Sequence, residues 1–408
     1  MASGVMFGSE PGSQLFGEQF QKDLVVQKGL KAKYFSGSGN CHILIDALYQ
    51  SLKGKVPHAF INRSSSGSTG FTFLGQVPSH AIANEIPDQR IGIVIKWQSE
   101  GQCSVERIGS LFFKAFGFPA PETYRIDPKL ANLLGPYAEK KCFAMGANYQ
   151  SLGLIAMPQL DANNFKEASK SKIKQMSPED QQVMLEKFGE IALLDIILGN
   201  NDRFVSFTDN VETLFSATSS FNSGNVMMEF DELESGHQKL VEVYPIDNCT
   251  LDMADKKKII SDSEEDMGFG FLEDDQFESS PDSPVSVESS SPRLDVPSID
   301  TEFLFHAKII RLNQVCIRLI NDLDCVASHI RNNLVKDLKE RIADIGEFEE
   351  FIDMAPKHLI IGMRKALDKA RTFEYAPFIK QCEEEEIDAF SRRALMLIQI
   401  NLQSIQQL

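Results

Sequence analysis

Residues 255–300 are the stretch that most limits how this 408-residue chain folds, because apolar periodicity stops there. From 261 to 300 the sequence holds 12 acids, one base (Arg293) and 10 serines, a net −11 within a formal total of −17. Such a segment cannot bury enough apolar surface to offset the entropy lost on ordering, so it is expected to be disordered. Two patterned parts remain. The earlier one mixes strands and helices. The later one reads as helical throughout, for example over Phe303–Ala343 and Pro356–Ala370. At roughly 100–200 residues per domain, the length leaves room for two or three domains or lobes and a sizeable core.

Outside the acidic tract the net charge is only −6, which is unremarkable. A nucleic-acid binder would usually carry a basic patch or stripe, and none is evident. No run of 18 apolar residues offers a membrane span. The first residues, MASGVMFGSEPGSQ, lack the basic start and apolar stretch of a secretory signal. The seven cysteines (41, 103, 142, 249, 316, 325, 382) are scattered, with no CxxC pair. That pattern suits reduced thiols and a cytoplasmic location, whether the chain's own cytosol or a host's, rather than disulfides or a zinc site.

Local patterning supplies the pieces. A Ser/Gly tract, Arg63-Ser64-Ser65-Ser66-Gly67-Ser68-Thr69-Gly70, leads into the apolar run Phe71–Leu74. Ile91–Trp97 then alternates with period two: Ile91, Ile93, Ile95 and Trp97 share one face, Val94 and Lys96 the other. Ser104 is a good N-cap for a helix with Glu106 in its first turn and Ile108, Leu111, Phe112 and Ala115 on its apolar side; Gly117 and Pro119 end it. Ser177-Pro178-Glu179-Asp180 starts another helix, carrying Met184, Phe188, Ile191, Leu194 and Leu198 and stopping at Gly199. The polar loop Asn200-Asn201-Asp202-Arg203 follows at once. Asn225–Phe230 and Leu240–Ile246 read as strands that Asp231–Lys239 turns into a hairpin, and Asp247 follows directly.

In that order these are the parts that phosphoryl transfer from ATP requires. A Gly/Ser loop offers backbone N–H groups to phosphates, and a lysine neutralises their charge while an acid holds it. A carboxylate receives the hydroxyl proton, and two oxygen ligands hold Mg²⁺.

The stretches SSSGSTGFTFLG (64–75), GIVIKW (92–97), SVERIGSLFFKAFGFPAPE (104–122), LLDIILGNNDRF (193–204), SGNVMM (223–228) and PIDN (245–248) resemble the actin-fragmin kinase catalytic domain family. That family is an atypical branch of the protein-kinase fold, distantly like HipA-type and phosphatidylinositol 4-kinase type II enzymes. The resemblance spans about residues 60–250, under half the chain. It implies an α+β, bilobal protein-kinase-like fold with a β-rich small lobe and a mainly helical large lobe. The implied division is an extension over 1–59, partly disordered; a small lobe over 60–160; the catalytic part of the large lobe over 161–254; the acidic insert over 255–300; and the helical rest of the large lobe over 301–408.

The implied roles are Lys96 on the nucleotide phosphates, Glu106 as its ion-pair partner and Asp202 as catalytic base. Asn225 and Asp247 would bind Mg²⁺. Gly67, Ser68 and Gly70 would cover the phosphates, and Leu154–Gln159, with Met157, would lie beside adenine. Glu100 is an alternative partner for Lys96. Asn210 is a rival metal ligand, since Asn225 lies 23 residues beyond Asp202, far more than in ordinary protein kinases. The usual HRD and DFG signatures are absent, and PIDN stands where DFG would be.

The function implied is Ser/Thr phosphorylation of a protein substrate, with likeness to the family pointing to actin or another cytoskeletal protein. A pseudokinase scaffold is the alternative. A lipid kinase ranks last, because the chain shows no basic or apolar interfacial element. Ser261 and Ser263 precede acids, and Ser280, Ser283 and Ser291 precede prolines, so 261–292 is a candidate target for a regulatory kinase. The same segment reads equally as an inert solvated loop.

Overall fold

A computed structural model describes residues 50, 60–63, 71–78, 90–98, 100–121, 123–125, 153–160, 162–216, 222–249, 301–342, 344–383 and 387–408. The phosphate-loop positions Gly67, Ser68 and Gly70, nearly all of the extension over 1–59 and the acidic tract over 255–300 lie outside these residues.

The fold is α+β. In chain order the strands and helices are β1 (Phe60–Arg63), β2 (Phe71–Pro78), β3 (Arg90–Gln98), α1 (Glu100–Ala115), β4 (Tyr124–Arg125), β5 (Gly153–Pro158), β6 (Asn163–Asn164), α2 (Phe165–Ser171), α3 (Pro178–Leu198), β7 (Val226–Glu232) and β8 (Gln238–Pro245). Then come α4 (Thr301–Asn321), α5 (Leu323–Arg341), α6 (Glu349–Arg371), α7 (Tyr375–Glu383) and α8 (Ala389–Gln406). Among the described residues the strands form a five-stranded antiparallel sheet, ordered β1-β2-β3-β5-β4, and a three-stranded sheet, ordered β6-β7-β8.

The helix expected from Ser177 forms as its sequence dictates. The Ser177 side chain accepts from the Asp180 N–H, Pro178 opens the helix, and Gly199 closes it in the left-handed conformation at φ 78°. From Phe188 to Leu198 every residue of α3 is buried, so this helix is the axis of the core. Phe188 meets Phe165 of α2 and Phe204 of the following loop, at ring separations of 5.9 and 5.0 Å. α6 and α8 pack along α3, and α5 packs on α6. The side chain of Asn401 in α8 donates to the carbonyl of Ile197 (2.7 Å), pinning the last helix to the end of α3.

The stretch read as helical from Phe303 on forms α4 and α5, divided where Asp322 caps the second by accepting from the Cys325 N–H. One expectation needs correction. The helix placed from Ser104 begins at Glu100, a full turn earlier. Ser104 therefore sits inside α1, buried, with its hydroxyl donating to the Glu100 carbonyl and to the Asp388 carboxylate at the start of α8. A serine in mid-helix that bonds back to the preceding turn looks the same in sequence as one that caps.

Candidate functional site

β3 carries Lys96 directly after Ile95, which with Ile93 is fully buried on the opposite face. Alternation along the strand turns Lys96 and Gln98 together toward α1. There the Lys96 ammonium meets Glu106 at 2.7 Å, and Gln98 donates to the other Glu106 oxygen at 2.9 Å. Glu106 is in the second turn of α1, not the first, and is only 1% exposed. Its position owes nothing to the helix dipole at an N-terminus; it is fixed by these two donors. Glu100, the other candidate partner, pairs instead with Arg125 on β4.

The Lys96 ammonium also lies 3.0 Å from Asp247, at the end of the β7–β8 hairpin. Burial disfavours the ammonium, but Asp247 and Glu106 together outweigh it and hold Lys96 above its ordinary pKa. Burial pushes Glu106 up against the pull of Lys96. Asp247 itself is 38% exposed and adopts φ 58°, the one left-handed non-glycine backbone among the described residues. Strained backbone of this kind persists where the surroundings over-determine it, often at sites.

Asp202 emerges from the loop that follows Gly199. Its backbone N–H donates to the Asn200 side chain (3.2 Å). Its carboxylate accepts from Asn222 (3.1 Å) and from Asn225 (3.3 Å), and Asn225 also donates to its carbonyl (3.0 Å). Burial raises the Asp202 pKa, with the charge of Asp247 adding to it against the Asn222 hydrogen bond. The structure thus brings Lys96, Glu106, Asp202, Asn225 and Asp247 into one connected group. Asn210 stays outside it: the residue is exposed, and its side chain accepts from the Glu212 N–H in a local turn. Met157 is buried on β5, directly opposite Val94 of the lysine strand.

Sequence reasoning missed four residues that organise this group. Arg203 is fully buried. Its Nη1 donates to Asp195 (2.6 Å), its Nε to the Asn225 carbonyl (3.1 Å), and its Nη2 to the Ile246 carbonyl (2.7 Å) and the Asn248 side chain. Asp195, in the last turn of α3, also accepts from Asn200 (3.0 Å), and burial pushes it up to about 7 against Arg203 and Asn200. Asn248 in turn donates to Ser110 of α1 (3.3 Å). A methyl on Gly109 would overlap the Asn248 carbonyl, so α1 seats against this loop only through a glycine. Asn222, the fourth, is the carboxylate donor already described. The available signal was the density of Asn and Asp around 195–225 and at 247–248.

Among the described residues no group of three or more His, Cys, Asp or Glu could hold a metal by itself. Mg²⁺ does not need one. It takes one or two protein carboxylates and completes its octahedron with phosphates and water. A partly exposed Asp247 with Asn225 fits that requirement.

No family model and no curated protein matches this chain. Among solved structures the chain is similar to CtkA, a proinflammatory kinase of Helicobacter pylori, at 12% identity over 68% of this chain and 91% of that one. The TM-score is 0.27, too low to carry an argument, so the site's own geometry bears the weight.

Proposed function

We propose that this chain is a kinase that transfers phosphate from ATP to a Ser or Thr hydroxyl of a protein. The observation that carries the reading is the Lys96 ammonium held at 2.7 and 3.0 Å from Glu106 and Asp247, with Asp202 tied to Asn225 beside them. A lysine held charged by a buried acid is what a triphosphate needs for neutralisation. Asp202, whose pKa burial raises above its ordinary value, is a better proton acceptor for a hydroxyl than a solvated aspartate. Its hydrogen bonds to Asn222 and Asn225 aim it while leaving it titratable.

Asn225 and Asp247 would hold Mg²⁺, which when bound neutralises charge on the phosphates. Lys96 would then exchange its contact with Asp247 for one with phosphate, while Glu106, buried behind it, keeps the ammonium in place. Strand β5, with Met157, lies beside the lysine strand where adenine would rest. The resemblance to the actin-fragmin kinase family extends the reading to a bilobal architecture and to a cytoskeletal substrate such as actin.

The test is transfer of labelled phosphate from ATP with Mg²⁺ to proteins of a cell lysate, by wild type and by Asp202→Ala. Transfer by wild type and a loss of about 10²–10⁴-fold in the variant are expected. No transfer by wild type sinks the kinase reading. Transfer that survives Asp202→Ala removes Asp202 as base.

A further inference from the structure

On the phosphoryl-transfer reading above, we propose that Arg203 is the positioning residue of this site. Its guanidinium joins the loop of Asp202 to the loop of Asp247, so that base and metal-side carboxylate keep a fixed spacing.

Arg203 touches neither carboxylate. It binds what lies next to each. The Ile246 carbonyl and the Asn248 side chain, which both accept from Nη2, bracket Asp247 in the chain. The Asn225 carbonyl accepts from Nε, and the Asn225 side chain reaches Asp202 itself. Nη1 is anchored by Asp195 in the last turn of the core helix α3. The guanidinium also sits 5.2 Å from the ring centre of Phe113 on α1, the helix that carries Glu106. One planar fork therefore faces the segments that supply Glu106, Asp202, Asn225 and Asp247, and neither β3 nor β5.

The need for such a fork follows from charge. Asp202 and Asp247 are two carboxylates of one site, and like charges repel. Each lies on irregular backbone that no sheet ladder holds. The Ile246 N–H donates to the Asn225 carbonyl (3.1 Å), and Arg203 adds to that single backbone link the bonds that fix the spacing of the two loops. A lysine could satisfy one acceptor with its ammonium but could not span four acceptors in one plane. Fold stability alone gives little reason for a buried Arg–Asp pair, since apolar replacements of such pairs are often neutral or stabilising. That the remaining acceptors are the carbonyl of Asn225 and the two groups flanking Asp247 is what stability alone does not account for.

The experiment measures ATP turnover with Mg²⁺ by the full chain as wild type, Arg203→Lys and Asn248→Ala, each with a thermal unfolding curve. A misplacement on the order of 1 Å costs about 10² in rate. Arg203→Lys is expected to lower kcat by about that factor with KM for ATP within about threefold, since Lys96 and Glu106 are untouched. Asn248→Ala, which leaves the Asp195 pair intact, is expected to lower kcat about tenfold in the same manner. Unchanged kcat per folded molecule, or a loss confined to KM, overturns the proposal. If Arg203→Lys shows no cooperative unfolding, Asn248→Ala decides by the same criterion. Failure of both to fold assigns Arg203 to the core alone and also overturns it. A wild type without turnover instead sinks the phosphoryl-transfer reading, and this inference with it.

Discussion

Lys96 lies 2.7 Å from Glu106 and 3.0 Å from Asp247, and the two contacts differ in kind. Glu106 is sealed from water, whereas Asp247 is partly exposed and can change partners. Removing the cation should therefore be costly through Glu106. Lys96→Met is expected to lose about 3 kcal/mol or more, the usual result of stranding one charge of a buried pair. Lys96→Met with Glu106→Leu should recover most of it, because no buried charge is left. Denaturant unfolding of the single and double variants measures both. A Lys96→Met protein as stable as wild type would show that Glu106 does not depend on the ammonium. The lysine and Asp202 were legible in the sequence, because an apolar strand and a well-capped helix fix what surrounds them. Arg203 was not. An arginine after an aspartate in a polar loop reads as solvated, and its acceptors at 246 and 248 lie more than forty residues on.

At the scale of elements, α3 and the β7–β8 hairpin follow from local chemistry alone: a capped start, a left-handed glycine stop, two alternating runs and a turn with Gly236 at φ 78°. The start of α1 does not. Ser104 is claimed by Asp388, 284 residues away, and no local pattern announces that. The same Asp388 caps α8 by accepting from the Ser391 N–H (2.8 Å), so one carboxylate ties the Glu106 helix to the last helix. Burial would raise the Asp388 pKa, but the hydrogen bonds from Ser104 and Ser391 win and hold it below its ordinary value.

The sign follows. With the folded pKa depressed, the unfolded chain takes up this proton first as pH falls. The contribution of Asp388 is therefore present above the ordinary aspartate range and lost as pH drops through the lower folded value. Asp388→Asn keeps a capping oxygen but loses the charged acceptor. It is expected to cost about 1 kcal/mol at pH 7, with the difference from wild type shrinking below about pH 4. A difference that is flat with pH would refute the link. Helix packing offers a second test. A methyl on Gly189 of α3 would overlap the Leu359 carbonyl of α6, and one on Gly362 would overlap the Glu186 carbonyl, so the two helices cross backbone to backbone. Gly189→Ala is expected to destabilise by about 1–3 kcal/mol in urea unfolding despite alanine's better helix propensity. A stabilised variant would mean that the helices are further apart.

At the scale of the whole molecule, the site lies where the lysine strand of the five-stranded sheet reaches the hairpin of the three-stranded one. The Lys96–Asp247 ion pair joins the lysine strand to the residue two positions beyond the end of β8. On the proposed function, nucleotide and metal would have separable effects on global stability. A triphosphate would bring negative charge to Lys96, which would leave Asp247, so ATP alone would leave Asp247 and Asp202 facing added anionic charge without compensation. On the proposed function, Mg²⁺ held by Asp247 and Asn225 would supply that compensation. A ligand at about 100 times its Kd adds about 2.7 kcal/mol to a folded protein, enough to move Tm by several degrees. ATP with Mg²⁺ is therefore expected to raise Tm by several degrees, and ATP with a chelator by much less. Asp247→Asn should erase the increment that Mg²⁺ adds while its ligand-free Tm stays close to wild type, since the carboxylate is partly exposed. Lys96→Met should erase the response to ATP itself. An increment from Mg²⁺ that survives Asp247→Asn would remove Asp247 from the metal site and leave the lysine's role standing.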